Sequence, residues 1–318
     1  MQNDIARDVL TQLTDQIGRV VYGAEEHTRL AFLAMLVRGH LLLEGVPGTG
    51  KTLFARCFAR SLGLSMRRVQ CTPDLMPGDV IGANVFDFRT QSFTLTKGPV
   101  FTEFLLADEV NRTPPKTQSS LLEAMQERSV TIDGVTHELS PRFMVMATQN
   151  PVEHEGTYPL PEAQLDRFLF KLELGYPSVE QEVRAVLAHG DVAGMPDLDA
   201  LGVTPIITGA ELDALRSLTP TVRLEPAIAE YVVSLVRATR DHPSLAVGLS
   251  PRAAASLAAS ARASAVVLGR DFVIPDDVKS LFAPAARHRV IVTPAAEMED
   301  VRADDVVREI LSRVAPPR

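Results

Sequence analysis

A glycine-rich segment at residues 45–52 has the residue types and spacing of a phosphate-binding loop. It reads Gly-Val-Pro-Gly-Thr-Gly-Lys-Thr, which fits the pattern G-x-x-x-x-G-K-[ST]. Its glycines let backbone N–H groups turn towards phosphate oxygens at the start of a helix. We expect Lys51 to reach the β and γ phosphates of a nucleotide, and the Thr52 hydroxyl to take a magnesium position.

An acidic pair, Asp108-Glu109, directly follows the apolar run at 104–107. Carboxylates at the end of a buried strand are costly unless they meet a cation. Because a phosphate loop lies upstream, we expect Asp108 to hold the magnesium and Glu109 to polarise the water that attacks the γ-phosphate. Without that loop, such a pair is more often an ordinary strand end.

Three further side chains are candidates by their position. Asn150 follows the third apolar run and could hydrogen-bond the attacking water and the γ-phosphate, although an Asn before proline is also a common turn former. Arg167 precedes a predicted strand at 168–172, and Arg252 opens a predicted helix. Guanidinium groups stabilise the charge of phosphoryl transfer, but most arginines of any chain are solvated surface residues.

The elements that must position these residues are βα units. Short apolar runs alternate with helical patterns up to about residue 175. Continuous apolar runs indicate strands that are covered on both faces, and such strands are predicted at 40–44, 104–107 and 143–147. A helix is predicted from Lys51 to about Leu62, with Gly63 as its C-terminal cap. The pattern predicts a parallel sheet.

Two segments at 85–95 and 130–139 break this pattern and predict β-hairpins. The second contains Asp133-Gly134, a dipeptide that favours the positive φ angles of a two-residue hairpin turn. The alternative is that either segment only pads an edge of the sheet.

Beyond Pro177 the pattern predicts helices only. Capping boxes begin at Ser178 and Thr208, and several prolines stand where a first helical residue would be. The sequence therefore predicts an α/β nucleotide-binding domain over 1–175 and a helical domain over 176–318.

Composition narrows the class of protein. The net charge of −8 and the absence of a basic stripe argue against nucleic acid as the principal partner. No apolar run approaches the length of a membrane span, and three aspartates interrupt the first 15 residues, where a signal peptide would be apolar. Two cysteines fit neither a metal site nor a disulfide framework. We expect a cytoplasmic protein.

Together these motifs resemble those of the AAA+ ATPases, and among them the MoxR family, from about Val20 to Arg289. The resemblance rests on Val20-Val21-Tyr22-Gly23, Leu42 to Thr52, Asp108-Glu109-Val110-Asn111-Arg112, Thr148-Gln149-Asn150-Pro151, Glu155 through Phe168, and Ser250-Pro251-Arg252. Ala24 and His154 depart from the family pattern, which often has Gln at both positions, and this puts loop contacts in doubt.

The resemblance implies an αβα AAA+ core followed by an all-α lid, with ATP and Mg²⁺ bound between them, and assembly into a ring, commonly a hexamer. The hairpins look like the two insertions of this branch, which face the pore and surface of the ring. Asn150 resembles sensor 1, Arg252 resembles sensor 2, and Arg167 resembles the finger that reaches a neighbouring subunit's site. Whether Arg252 serves its own nucleotide or a neighbour's stays open.

The same resemblance implies the nucleotide contacts. Val21, Tyr22 and Gly23 are expected against the adenine. The Walker A residues expected to bind nucleotide are Gly45, Pro47, Gly48, Thr49, Gly50, Lys51, Thr52 and Leu53, while Thr52 and the Walker B residue Asp108 are expected at the metal.

The function that the resemblance implies is chaperone-like remodelling or maturation of other proteins, driven by ATP hydrolysis. Members of the family typically work with partners that carry a von Willebrand factor A domain, in metal-cofactor insertion or complex assembly. Two alternatives stay open: a nucleic-acid motor, and a nucleotide-gated scaffold with little turnover.

Overall fold

The computed structural model describes residues 2–151, 156–190 and 194–317. His154, where the sequence departs from the family pattern, lies outside the described residues. The strands are β1 (Leu41–Glu44), β2 (Met66–Gln70), β3 (Gly82–Asp87), β4 (Ser92–Lys97), β5 (Phe104–Asp108), β6 (Ser129–Ile132), β7 (Val135–Glu138), β8 (Met144–Gln149), β9 (Phe170–Glu173), β10 (Leu245–Val247) and β11 (Ile291–Val292).

The α-helices are α1 (Gln2–Gly18), α2 (Glu25–Leu36), α3 (Lys51–Ser61), α4 (Pro77–Ile81), α5 (Pro115–Glu127), α6 (Glu162–Leu165), α7 (Val179–His189), α8 (Gly209–Leu218), α9 (Pro226–Arg240), α10 (Pro251–Val267), α11 (Pro275–Ala286), α12 (Pro294–Met298) and α13 (Ala303–Arg313). None of these helices is both long enough and apolar enough to cross a membrane.

A parallel sheet in the order β2-β5-β8-β1-β9 forms the centre of the N-terminal part. Successive residues of its strands enter different cores: Leu41 and Leu43 belong to one cluster of buried residues, and Leu42 to another. Because both faces are covered, the strands read as continuous apolar runs. The predicted α/β fold with buried parallel strands is confirmed.

Both predicted hairpins are present, as the antiparallel pairs β3–β4 and β6–β7. Asp133 and Gly134 have φ angles of 48° and 80°, as a two-residue turn with positive φ requires. Each hairpin is a two-stranded sheet of its own, so neither adds a strand to the edge of the central sheet. The Asn84 side chain joins the hairpins by donating to the Asp133 carboxylate at 2.9 Å.

Helices dominate the C-terminal part, as predicted. Ser178 and Thr208 cap α7 and α8 with the expected boxes, and prolines begin α9, α10 and α11. The prediction of helices only is wrong in one respect, because β10 and β11 form a short antiparallel pair. Strands of two and three residues are too short to show an alternating pattern.

The helical part is packed onto the sheet part through the N-terminal helices. Helix α10 contacts both α1 and α2. Buried residues of one continuous cluster come from α1, such as Leu13 and Ile17, and from the C-terminal helices, such as Leu257 and Phe282. The boundary between domains at 175 and 176 stays a prediction.

His40, just before β1, connects three elements inside the core. Its Nδ1 accepts the Val145 N–H at 2.9 Å, so Nε2 carries the proton and donates to the Met125 carbonyl oxygen at 3.0 Å. Burial, with a further contribution from the Arg128 charge, lowers the pKa of His40 to about 3. The folded protein therefore holds this imidazole neutral.

A neutral buried imidazole predicts a loss of stability in mild acid. Below its unfolded pKa of 6.5, the unfolded chain binds a proton at His40 that the native protein does not take until pH approaches 3. Between pH 7 and pH 5 this linkage should cost about 2 kcal/mol of unfolding free energy. Urea unfolding at pH 7 and pH 5 measures this loss.

His40→Asn should lose about 2 kcal/mol less than the parent over this interval, whereas a His137→Asn control should follow the parent. Equal losses in parent and His40→Asn would contradict the assignment.

Candidate functional site

The phosphate loop connects β1 to α3, as the motif predicts. Gly48 and Gly50 have φ angles of 85° and 84°, in the left-handed region that favours glycine. A Cβ atom on Gly48 would meet nothing within 4 Å, so the backbone conformation, and not lack of space, calls for glycine there.

Two side chains at the start of α3 face the loop and the sheet. Lys51 Nζ donates to the carbonyl oxygens of Gly45 and Val46 at 2.6 and 2.8 Å, which holds the ammonium group over the loop. Thr52 Oγ1 donates to Asp108 Oδ2 at 3.3 Å. The hydroxyl and the carboxylate predicted to hold one metal ion therefore lie side by side.

The Asp108 carboxylate ends β5 and its side chain is 9% exposed. Its Oδ1 accepts the Thr148 hydroxyl at 2.6 Å, from the neighbouring strand β8. Its Oδ2 accepts Nε and Nη2 of Arg68 at 3.1 and 2.7 Å, from β2 on the other side. Donors from both adjacent strands thus fix this carboxylate.

Glu109 has a strained backbone, with φ at 60° in a region that non-glycine residues rarely adopt. Such conformations cost about 1–3 kcal/mol and concentrate at functional sites. Its N–H donates to Thr148 Oγ1 at 2.9 Å. Its Oε2 accepts Gln70 Nε2 at 2.9 Å and lies 3.2 Å from Arg112 Nε. These two contacts hold the carboxylate beside the end of β2, where Gln70 is the last residue.

These groups line a first cavity, of about 530 Å³, at the carboxyl ends of the strands. Lys51, Thr52, Asp108, Glu109 and the buried Asn150 all border it. Ligands of open α/β sheets bind at this edge. The structure therefore brings together the predicted phosphate, metal and water-activating residues.

Of the predicted adenine contacts, Val21 lies beside the loop and Gly23 lies against α7. Val21 Cγ1 is 3.8 Å from the position that a Cβ on Gly50 would take. A Cβ on Gly23 would come within 2.8 Å of Gln181 Nε2, so this backbone packs against the first turn of α7. Tyr22 between them is half-buried. A role for these residues in nucleotide binding stays a prediction.

Sequence reasoning missed several residues of the site. Arg68 and Gln70 lie on β2, which no apolar run announces, although their spacing of two puts them on one face of a strand. Thr148 forms part of the family motif, but only its contacts reveal that it orients both acidic residues. Residues 194–196 line the cavity as well.

Arg167 and Arg252 lie elsewhere. Neither is among the described residues that line the first cavity; both border a second cavity of about 310 Å³. Arg167 precedes β9, at the amino ends of the parallel strands, so the sheet separates it from the phosphate loop by roughly 15 Å. This second cavity contains five arginines: Arg38, Arg128, Arg167, Arg252 and Arg289.

Positive charge is in surplus there. Among the described residues that line the second cavity, Asp166 carries the one carboxylate, and it is paired with Arg289 at 2.8 Å. The cavity is therefore suited to an anion that the chain itself does not supply.

The donor set at the first cavity fits Mg²⁺. This ion prefers oxygen ligands and keeps several waters, so one hydroxyl and one carboxylate suffice when phosphate oxygens complete the shell. The described residues hold no group of three or more His, Cys, Asp and Glu side chains suited to a metal, which argues against an all-protein metal cage there.

Comparisons with known proteins match both parts of the chain. Residues 40–170 match the family described as "ATPase family associated with various cellular activities (AAA)", and residues 237–310 match the AAA lid domain. A protein named Chaperone MoxR1 from Mycobacterium tuberculosis is 42% identical, with 95% of this chain and 81% of that protein covered. Protein MoxR from Methylorubrum extorquens is 32% identical, with 98% and 96% covered.

A solved structure shares the whole fold. The crystal structure of a proposed ATPase from Cytophaga hutchinsonii superposes with a TM-score of 0.90 at 36% identity, covering 100% of this chain and 97% of that one. The central sheet and the helical part therefore both have a counterpart in one known molecule.

Thr148 provides a test of the site's internal support. Replacing it by valine keeps the shape but leaves the Glu109 N–H unpaired and removes a donor from Asp108, so the protein should lose about 1–3 kcal/mol of unfolding free energy. Thr148→Ser keeps the hydroxyl and should lose less. Denaturant unfolding of both variants measures the difference, and a valine variant as stable as the serine one would show that the hydroxyl contributes nothing.

Proposed function

The chain belongs to the MoxR family of AAA+ ATPases, and from this premise we propose that it binds ATP with Mg²⁺ and hydrolyses it in the cavity at the carboxyl ends of the strands. The observation that carries the proposal is the convergence of Lys51, Thr52, Asp108 and Glu109 on this one cavity. Nucleotide binding is a property of the family; hydrolysis and metal dependence are the proposed parts.

Each residue has a role that its geometry supports. The loop N–H groups and Lys51 would neutralise the phosphates, while Thr52 and Asp108 would hold the metal. Mg²⁺, when bound, offsets charge on the β and γ phosphates. Glu109 polarises the attacking water, and Asn150 at the cavity wall orients it.

The adenine is proposed to lie against Val21, Tyr22 and Gly23, of which Val21 stands beside the loop. This arrangement keeps the nucleotide between the αβα domain of residues 1–175 and the lid of residues 176–318, the division proposed from the sequence.

Variants at Lys51 and Glu109 should separate binding from chemistry. Lys51→Ala removes a charge at the phosphates and should weaken ATP binding by about tenfold or more. Glu109→Gln keeps the shape and should bind ATP, yet lower turnover by about 10²–10⁴-fold because an amide cannot act as a base. Equilibrium binding and phosphate release measure the two effects, with Glu123→Gln on the exposed face of α5 as control. Full turnover in Glu109→Gln would refute its role.

Assembly into a ring, commonly a hexamer in this family, is proposed to complete the site. The second cavity lies at the opposite edge of the sheet and has unmatched positive charge. A neighbouring subunit's γ-phosphate is an anion that this cavity would suit, and added positive charge stabilises phosphoryl transfer. We infer that Arg167 and Arg252 both act in trans, because both border this cavity.

Mixed rings test the arrangement in trans. Arg167→Ala and Arg252→Ala should each bind ATP; Arg167→Ala should lose about 10³-fold in turnover by analogy with other arginine fingers. Mixing either with Lys51→Ala should restore part of the activity, because some sites then pair an intact loop with an intact arginine. Arg308→Ala, at a 72% exposed side chain, is the control.

Subunit exchange is first established by co-purifying differently tagged variants. Mixed rings that form but stay inactive, together with a dilute parent monomer that hydrolyses ATP at the full rate, would exclude a role in trans.

A chaperone-like role in the cytoplasm, remodelling or maturing partner proteins, is proposed as the use of this cycle. The name of the relative Chaperone MoxR1 supports it, as does a cluster of exposed aromatic rings on the β3–β4 hairpin at Phe86, Phe88 and Phe93. A partner with a von Willebrand factor A domain, in metal-cofactor insertion or complex assembly, is part of the proposal. Stimulation of ATPase by such a partner and not by DNA would support it over a nucleic-acid motor.

A further inference from the structure

Arg68 places a guanidinium group on the carboxylate that is proposed to hold the metal. Its Nε and Nη2 lie 3.1 and 2.7 Å from Asp108 Oδ2, and Nη2 also donates to Gln70 Oε1 at 2.6 Å. Strand β2 presents Arg68 and Gln70 on one face, and Gln70 is in register with Asp108. The arginine is therefore held by two acceptors at the wall of the first cavity.

The contact uses the oxygen atom that faces Thr52. Oδ2 lies 3.3 Å from Thr52 Oγ1, whereas Oδ1 is occupied by the Thr148 hydroxyl at 2.6 Å. A Mg²⁺ ion held by Thr52 and Asp108 would need Oδ2 as ligand or as acceptor for its waters. Since Oδ2 already accepts three N–H or O–H donors, Arg68 and the ion compete for one place.

We propose that Arg68 is a positioning residue that occupies the cation's place in the nucleotide-free site, so that divalent metal enters only together with the nucleotide. The inference rests on the proposed function, in which Thr52 and Asp108 hold Mg²⁺.

Exposure explains why the arginine can leave while the carboxylate stays. The Arg68 side chain is 48% exposed, and that of Asp108 is 9% exposed. The half-exposed guanidinium is already partly hydrated and returns to water at little cost, while the incoming cation takes over the compensation of the buried Asp108 carboxylate. Free Mg²⁺ sheds its own water reluctantly, so by itself it is a poor competitor for Oδ2. Bound to a triphosphate, it brings phosphate oxygens and a second set of contacts to the loop.

Arg68 also changes what a triphosphate meets when no metal is present. In the parent protein the nucleotide approaches a carboxylate whose charge is already compensated. Without Arg68 the nucleotide approaches an uncompensated Asp108, and the negative charges of the carboxylate and the phosphates repel each other inside the same cavity. Nucleotide affinity should then depend more strongly on Mg²⁺.

The first experiment uses MgCl₂ alone as the probe. Thermal unfolding of the nucleotide-free parent should not respond to millimolar MgCl₂ beyond an NaCl control of equal ionic strength. Arg68→Gln should show a saturable, Mg²⁺-specific increase in Tm, because the ion now compensates Asp108. The matched control is Arg67→Gln, which removes the same charge from the other face of the same strand and should behave like the parent.

The second experiment measures affinity for a non-hydrolysable ATP analogue with MgCl₂ and with EDTA. The Kd measured with EDTA divided by the Kd measured with MgCl₂ should rise about tenfold in Arg68→Gln. In Arg67→Gln this ratio should remain at the parent value. Arg68→Lys keeps a charge without the two-pronged contact and should lie between them. If Arg68→Gln fails to fold, Arg68→Lys replaces it in both measurements.

The outcomes separate the two proposals. If the parent binds the analogue with Mg²⁺ in a Lys51-dependent way, but Arg68→Gln and Arg68→Lys match the parent in both measurements, the inference is overturned and the proposed function stands. If the parent itself shows no Lys51-dependent binding, the proposed function fails.

Discussion

An ionised carboxylate at the end of a buried strand has to be compensated, and at Asp108 the surrounding structure meets this requirement. With 9% of its side chain exposed, it cannot be hydrated as a surface carboxylate would be. Its compensation comes from three separate elements: the Thr148 hydroxyl on β8, the Arg68 guanidinium on β2 and the Thr52 hydroxyl on α3. Only the strand order β2-β5-β8, with α3 following β1, puts these donors around one carboxylate.

The parallel sheet also separates two kinds of charge. Loops after β1, β5 and β8 gather the phosphate loop and the acidic pair at the carboxyl edge. At the amino edge, near the starts of β1 and β9, the described residues that line the second cavity include five arginines and one carboxylate. Because the strands hold these edges roughly 15 Å apart, one copy of the chain cannot apply both to one phosphate. For the chemistry that we propose, the arginines therefore have to come from a second copy of the chain, as in the proposed ring.

Local signals in the sequence predicted much of the fold. The dipeptide at Asp133-Gly134 predicted a hairpin because its two residues tolerate the positive φ that they adopt. Capping boxes at Ser178 and Thr208 predicted helix starts because the cap and its partner are three residues apart. Strand β2 was not predicted, since its two arginines and glutamine give no apolar run, and β10 and β11 are too short to show one.

By itself, the sequence identified the candidate residues for the proposed chemistry: the loop from Gly45 to Thr52 and the pair Asp108-Glu109 are contiguous motifs, and contiguous spacing fixes their local geometry. The tertiary structure alone decided which side chains meet. Arg68 reaches Asp108 across 40 residues, and Arg252 shares a cavity with Arg167 rather than with the phosphate loop. Such contacts depend on strand order and on how the helical part packs against α1 and α2, and the spacing of residues along the chain does not encode either.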